Sequence, residues 1–144
     1  MRSMTGYDHA LYQMYLSRVP MFSVCTADQL DLIAQLGEAV SVGDAREVVR
    51  EGDTGDGFYV ITDGAASVRR DGQEVARLAP GDYFGELSLF DPGPRNATIA
   101  SVGNLACVML SRAAFAQALD KIPAVRDALL HGMARRIHEL DQRV

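Results

Sequence analysis

Between residues 38 and 110 the chain consists of short runs of β-forming residues separated by turn signals that contain glycine. Asp71-Gly72 is the strongest of these signals, because this dipeptide favours the two-residue turn of a β-hairpin. Asp63-Gly64 and Gly103-Asn104 are predicted to end further strands in the same way. Short strands at this spacing predict a jelly-roll β-barrel, so the fold class is mainly β.

Helical patterns flank this β zone in the chain. In residues 1–37, Thr26 and Gln29 have the spacing of a capping box at the start of a helix. An earlier helix, ended by Pro20, is predicted because apolar residues recur there at helical spacing. These residues are Ala10, Leu11, Met14 and Tyr15.

Residues 111–144 predict two further helices, and Pro123 suits the first turn of the second one. The last helix carries an apolar stripe that predicts core packing. The stripe consists of Val125, Leu129, Met133, Ile137 and Leu140. We therefore predict one domain over residues 1–144, in which N-terminal helices precede the β-barrel and two C-terminal helices follow it.

The overall composition limits the classes of partner. The formal net charge is −5, and no basic face is apparent, so we expect no nucleic acid as a partner. No apolar stretch is long enough to span a membrane, and the first residues lack the pattern of a signal peptide. Cys25 and Cys107 stand apart from each other in apolar surroundings, which indicates small buried side chains in a reducing compartment. We therefore expect a cytoplasmic protein without membrane contact.

The segment from Phe84 to Thr98 does not have the pattern of an ordinary strand. Gly85 can start a short helical turn over residues 86–90, and the start of a helix attracts an anion. Arg95 follows a rigid Pro-Gly-Pro turn, and its planar guanidinium matches two oxygens of a phosphate. An ionised Glu86 can only accept hydrogen bonds, so a ligand hydroxyl is its natural partner.

The run FGELSLF followed by GPRNATI resembles the phosphate-binding cassette of cyclic nucleotide-binding domains. This family occurs in catabolite activator proteins, in regulatory subunits of cAMP-dependent kinase and in cyclic nucleotide-gated channels. Residues 51–64 and 16–22 resemble other parts of the family pattern, so the similarity covers roughly residues 11 to 140. The cassette itself spans residues 84–98.

The resemblance implies a role for each matching residue. Arg95 would pair with the cyclic phosphate, assisted by nearby backbone N–H groups, and Glu86 would bind the ribose 2′-hydroxyl. Leu87 would line the base pocket together with two strand valines. The residues expected to contact the ligand are Gly85, Glu86, Leu87, Ser88, Arg95, Asn96, Ala97, Val68 and Val75.

Two positions depart from the family pattern. Ser88 stands where alanine is usual, and Asn96 stands where the family has alanine, serine or threonine. In the family a hydroxyl after the arginine accompanies a preference for cGMP, and alanine accompanies a preference for cAMP. Asparagine matches neither residue type, so Asn96 does not indicate the base. We expect cAMP as the ligand, with cGMP as the alternative.

We therefore expect a regulatory sensor domain that is not an enzyme and needs no cofactor besides its nucleotide ligand. Ligand binding would move the C-terminal helices and act on an effector domain or on a second copy through the last helix. One alternative is a ligand-free domain of the same fold that serves protein interaction or dimerisation. Another is a metal-dependent barrel enzyme, but His9, His131 and His138 all lie outside the β zone, so we expect no metal site.

Overall fold

The computed structural model describes residues 7–141, with the side chains of all these residues except 136 and 139–141. The helices are α1 (His9–Ser17), α2 (Ala27–Ala34), α3 (Arg112–Lys121) and α4 (Pro123–Asp141). The strands are β1 (Glu38–Val42), β2 (Glu47–Val49), β3 (Thr54–Gly55), β4 (Gly57–Arg70), β5 (Gln73–Leu78), β6 (Tyr83–Phe84), β7 (Gly93–Pro94) and β8 (Thr98–Ser111). A 3₁₀ turn at Glu86–Leu89 lies between β6 and β7.

The described chain divides into two compact units. The β unit contains Tyr7 and Gly37–Arg112, and the helical unit contains Asp8–Leu36 and residues 113–141. The prediction of one domain over residues 1–144 stays a prediction. Over the described residues, no helix combines the length and the apolar character needed to cross a membrane.

The β unit is built from two antiparallel sheets. The larger has six strands in the order β1-β8-β4-β5, with β2 also paired to β8 and β6 also paired to β4. The smaller sheet joins β3 to β7. The fold class predicted from the sequence, mainly β of the jelly-roll type with helices before and after it in the chain, is confirmed.

The hairpin at Asp71-Gly72 is also confirmed. Arg70 pairs with Gln73 at the end of β4 and the start of β5. Asp71 and Gly72 both have positive φ, at 54° and 81°, as a two-residue turn with matching twist requires.

The predicted strand ends at Asp63-Gly64 and Gly103-Asn104 were wrong. Each pair lies inside a continuous 14-residue strand, β4 or β8. The register between these strands shifts here, because Asp63 pairs with Ala106 whereas Ala65 pairs with Val102. Gly64 and Gly103 have positive φ, which forms an irregularity in the ladder without reversing the chain.

The core of the β unit lies along β4 and β8. Phe58, Val60, Val108 and Leu110 are fully buried there. A further cluster of buried side chains contains Ile61, Ala66, Ile99, Leu105 and Cys107. Burial raises the pKa of the Cys107 thiol from about 9 to about 12. Both cysteines are free, with Cys107 buried and Cys25 half-buried.

In the helical unit the capping box of α2 is confirmed. The Thr26 hydroxyl accepts from the Gln29 amide, and the Gln29 side chain accepts from the Thr26 amide at 2.8 Å. The helix predicted before Pro20 is present as α1, in which Tyr12 and Leu16 are buried and Met14 is 42% exposed. The buried side chains follow the i, i+4 spacing of one helix face.

The apolar stripe of α4 is buried only in its first part. Val125 and Leu129 are buried, Met133 is half-buried, and Ile137 is 63% exposed. The side chain of Leu140 lies outside the described residues. Core packing thus explains the first two turns of α4.

Candidate ligand-binding site

Gly85 directly precedes the 3₁₀ turn at Glu86–Leu89, where the sequence predicts the start of a helical turn. Gly85 has φ +85°, in the left-handed region that favours glycine. A side chain here would also collide with its surroundings, because its Cβ would lie 2.5 Å from Nη1 of Arg95 and against the Gly57 carbonyl oxygen. Glycine is therefore required at this position both for its backbone angle and for space.

A cavity of about 340 Å³ opens beside this turn. It is lined by residues 84–88 and 93–97 together with Val49, Asp91 and Ile99. This volume falls within the usual range for small-molecule sites. The cavity brings together the predicted site residues Gly85, Glu86, Leu87, Ser88, Arg95, Asn96 and Ala97.

Arg95 is held at the cavity wall by backbone and side-chain hydrogen bonds. It directly follows β7, and its amide donates to the Asp53 carbonyl oxygen at 2.8 Å. Its Nη2 donates to the Gly57 carbonyl oxygen at 2.9 Å, and its Nη1 donates to the Ser88 hydroxyl at 3.3 Å. The Nε atom is buried with no hydrogen-bond partner. The guanidinium is thus fixed in position while part of its donor capacity is unused.

Ser88 meets Arg95 through its hydroxyl. Its backbone amide donates to the Gly85 carbonyl oxygen at 3.0 Å within the 3₁₀ turn. The amide expected to assist a phosphate is therefore engaged in the turn. The hydroxyl accepts from Arg95, which leaves its own hydrogen available for another acceptor.

Charged groups in the cavity are few and of both signs. Glu86, Asp91 and Arg95 are the charged residues in its lining. Glu86 is half-buried at the first position of the 3₁₀ turn. The cavity therefore offers one fixed cation for an anionic group and carboxylates that accept from hydroxyl or amino groups.

Asn96 takes part in the site through its backbone. Its carbonyl oxygen accepts from Nε of Arg70 at 3.0 Å, which links the cassette to the end of β4. Asn96 is exposed, whereas Ala97 is buried at the cavity wall. Leu87 is 60% exposed at the cavity.

The two valines predicted to face the base do not line the cavity. Val68 packs against the core cluster of the β unit and pairs with Ile99. Val75 is 53% exposed on β5. The apolar wall comes instead from Val49, Phe84 and Ile99.

None of these three wall residues was among those expected to contact the ligand. Phe84 stacks on Tyr59, with ring centroids 4.9 Å apart and an interplanar angle of 9°. Phe84 directly precedes Gly85 in the sequence, and this position could have indicated that its side chain lines the cavity. Val49 and Ile99 are ordinary strand residues, and only the folded arrangement places them beside the cassette.

A second cavity, of about 400 Å³, also contacts Arg95. Its lining includes three carboxylates, from Glu47, Asp53 and Asp56, and a second cation, Arg50. The cavity beside the 3₁₀ turn differs from it in containing the other cassette residues. Within the side chains that the structure describes, no group of three or more His, Cys, Asp or Glu is arranged to hold a metal ion.

The cyclic nucleotide-binding domain family matches residues 40–121. A cAMP-dependent protein kinase regulatory subunit from Mucor circinelloides f. lusitanicus is 36% identical over 122 residues. That match covers 82% of this chain but only 29% of the length of the relative.

Two solved structures are similar over most of the chain. The N-terminal domain of a transcriptional regulator from Streptomyces coelicolor A3(2) has a TM-score of 0.82 at 33% identity, covering 90% of this chain and 94% of that one. The regulatory domain of Toxoplasma gondii PKA, crystallised with cAMP, has a TM-score of 0.66 at 27% identity, covering 88% and 50%. The family match, the fold and the cassette together show that this chain belongs to the cyclic nucleotide-binding domain family.

Proposed function

We propose that the cavity beside the 3₁₀ turn binds a cyclic nucleotide monophosphate. Arg95 pairs with the cyclic phosphate, and Glu86 accepts a hydrogen bond from the ribose 2′-hydroxyl. The observation that carries this proposal is the presence of Arg95 and Glu86 in the lining of one cavity of about 340 Å³.

The other lining residues suit the remaining parts of such a ligand. The Ser88 hydroxyl retains a hydrogen that can be donated to a phosphate oxygen beside Arg95. Val49, Phe84 and Ile99 supply apolar surface for a purine. Leu87 gains an apolar partner if the base packs against it, which offsets its exposure.

We propose cAMP as the preferred ligand. The relative from Mucor circinelloides is named as a cAMP-dependent regulatory subunit, and the similar Toxoplasma gondii structure contains cAMP. Asn96 differs from the family's alanine and hydroxyl residues, so the proposal of cAMP rests on these similar proteins and not on Asn96.

The proposed role is regulatory and not catalytic. Binding would change the position of the C-terminal helices and thereby act on an effector, either another domain of a longer protein or a second chain. The chain spans less than a third of the length of the curated relatives that it matches, so the effector is itself a proposal. The cytoplasmic location and the homodimer stay predictions.

Calorimetric titration of nucleotide-free protein with cAMP, cGMP and 5′-AMP tests the proposal. We expect saturable binding of cAMP, weaker binding of cGMP and none of 5′-AMP, since a monoester phosphate differs in shape and charge from the cyclic diester. Failure of folded, nucleotide-free protein to bind either cyclic nucleotide would overturn the proposal. It would favour the ligand-free interaction module.

Hydrogen exchange of backbone amides tests the coupling to the helices. We expect saturating cAMP to change exchange rates in α3 and α4 as well as in residues 84–98. Protection confined to the cassette would show binding without coupling, and the regulatory part of the proposal would be wrong.

A further inference from the structure

We propose that Gly55 positions the Arg95 guanidinium at the cavity wall. Gly55 is the last residue of β3, and the side chain of Arg95 lies directly against its α carbon. A Cβ placed on Gly55 would lie 2.6 Å from Nη2 of Arg95 and collide with its Nε and Cζ atoms. Because Gly55 has no side chain, the guanidinium of Arg95 occupies the space that a Cβ would fill. We call this space the slot.

The requirement for glycine at Gly55 is steric and not conformational. The φ angle of Gly55 is outside the left-handed region, so its backbone is accessible to any residue. The atoms that a methyl group would meet first belong to Arg95. An alanine at this position must therefore displace the arginine side chain or be displaced by it.

Gly85 also borders the guanidinium. A Cβ there would lie 2.5 Å from Nη1 of Arg95, so two glycines leave space for this group. Hydrogen bonds to the Gly57 carbonyl and the Ser88 hydroxyl complete the surroundings. Steric confinement and two acceptors thus define one position of the guanidinium.

The buried Nε of Arg95 supports confinement by packing. A buried N–H without an acceptor is unfavourable, so hydrogen bonding alone would not select this position. Packing of the guanidinium in the slot accounts for this position. Gly55 acts through Arg95 and is not expected to touch the ligand.

This inference rests on the proposed function, because the consequence of misplacing Arg95 is weaker phosphate binding. We expect Gly55→Ala to weaken cAMP binding by roughly 10- to 100-fold, the scale of one lost charge-assisted hydrogen bond. Gly43→Ala is the matched control, because Gly43 lines neither cavity that contacts Arg95. A Cβ on Gly43 meets nothing within 4 Å, and its φ also lies outside the left-handed region, so cAMP affinity should be unchanged.

A second readout needs no nucleotide. The Arg95 Nε–H resonance, assigned by its loss in Arg95→Lys, should report a rigid, slowly exchanging group in the wild-type protein and in Gly43→Ala. In Gly55→Ala it should become mobile and exchange rapidly. If wild-type protein binds no cyclic nucleotide, the proposed function fails, while this resonance still tests the slot.

A double-mutant cycle of melting temperatures tests the inference even if Gly55→Ala folds poorly. If the methyl group acts only through Arg95, then removing the arginine side chain relieves the collision. Gly55→Ala should therefore lower the melting temperature in the wild-type background and leave it unchanged in the Arg95→Ala background. Equal destabilisation in both backgrounds, or an unchanged Nε–H signal in Gly55→Ala, would overturn the inference.

Discussion

Nη2 of Arg95 donates a hydrogen bond of 2.9 Å to the carbonyl oxygen of Gly57, a residue 38 positions earlier in the chain. Gly57 is the first residue of β4, and Arg95 directly follows β7. The bond therefore fixes the cassette arginine against the central strand of the larger sheet. A phosphate that pairs with Arg95 would act on this connection as well as on the cassette.

Glu86→Gln should weaken cAMP binding by roughly 10-fold, because a neutral amide oxygen accepts a hydroxyl hydrogen less strongly than a carboxylate does. Calorimetry with cAMP and 2′-deoxy-cAMP measures the effect. The variant and wild-type proteins should bind 2′-deoxy-cAMP equally, because that ligand lacks the hydroxyl proposed to meet Glu86.

Glu38→Gln is the control for this prediction, since Glu38 is exposed on β1 and does not line the cavity. It should leave the affinity for both ligands unchanged. An equal loss of cAMP and 2′-deoxy-cAMP affinity in Glu86→Gln would remove the ribose contact from the proposal.

Val60→Ala should lower the free energy of unfolding by roughly 2–3 kcal/mol, because it removes buried methyl groups and leaves a cavity. Val60 is fully buried and pairs with Val108 in the core of the β unit. Val75→Ala is the matched control, with a side chain 53% exposed on β5 and an expected change below about 0.5 kcal/mol. Urea denaturation measures both, and equal losses would contradict the described core.

The stability of the fold should fall at alkaline pH because of Cys107. Burial raises the pKa of this thiol from about 9 to about 12, so the folded state disfavours the thiolate. The unfolded chain releases this proton at lower pH than the folded chain does. The resulting stabilisation is complete below about pH 9 and is lost as the pH rises from about 9 towards 12.

Between pH 8.5 and 10.5 the loss attributable to Cys107 should be roughly 2 kcal/mol. Urea denaturation of the wild-type protein and of Cys107→Ala at both pH values isolates it, since other alkaline titrations are shared. The variant should show a correspondingly smaller decrease. Identical decreases in the two proteins would show that Cys107 is not buried as described.

Local sequence signals predicted the features that depend on neighbouring residues. The turn at Gly85 needs a positive φ, and the capping box of Thr26 and Gln29 needs only a three-residue spacing. The hairpin at Asp71-Gly72 also depends on neighbouring residues in the sequence. The positions of Glu86 and Arg95 in one cavity followed from the family resemblance of the cassette.

Features that depend on distant residues were not predictable in this way. Gly64 carries the same turn signal as Gly72, but pairing with β8 makes it an irregularity within a long strand. Val49 and Ile99 line the cavity only because β2 pairs with β8 near the cassette. The slot at Gly55 likewise exists only once β3 has paired with β7.

Titration of Arg95→Ala with cAMP, beside wild type and Arg77→Ala, tests the central claim most directly. Arg77 is the matched control, because it is an exposed arginine paired with Glu74 at 3.1 Å and does not line the cavity. Loss of the guanidinium should weaken binding by roughly 100-fold or more, whereas Arg77→Ala should bind as wild type does. Binding of cAMP by folded Arg95→Ala at wild-type affinity would contradict the assignment of Arg95 to the phosphate.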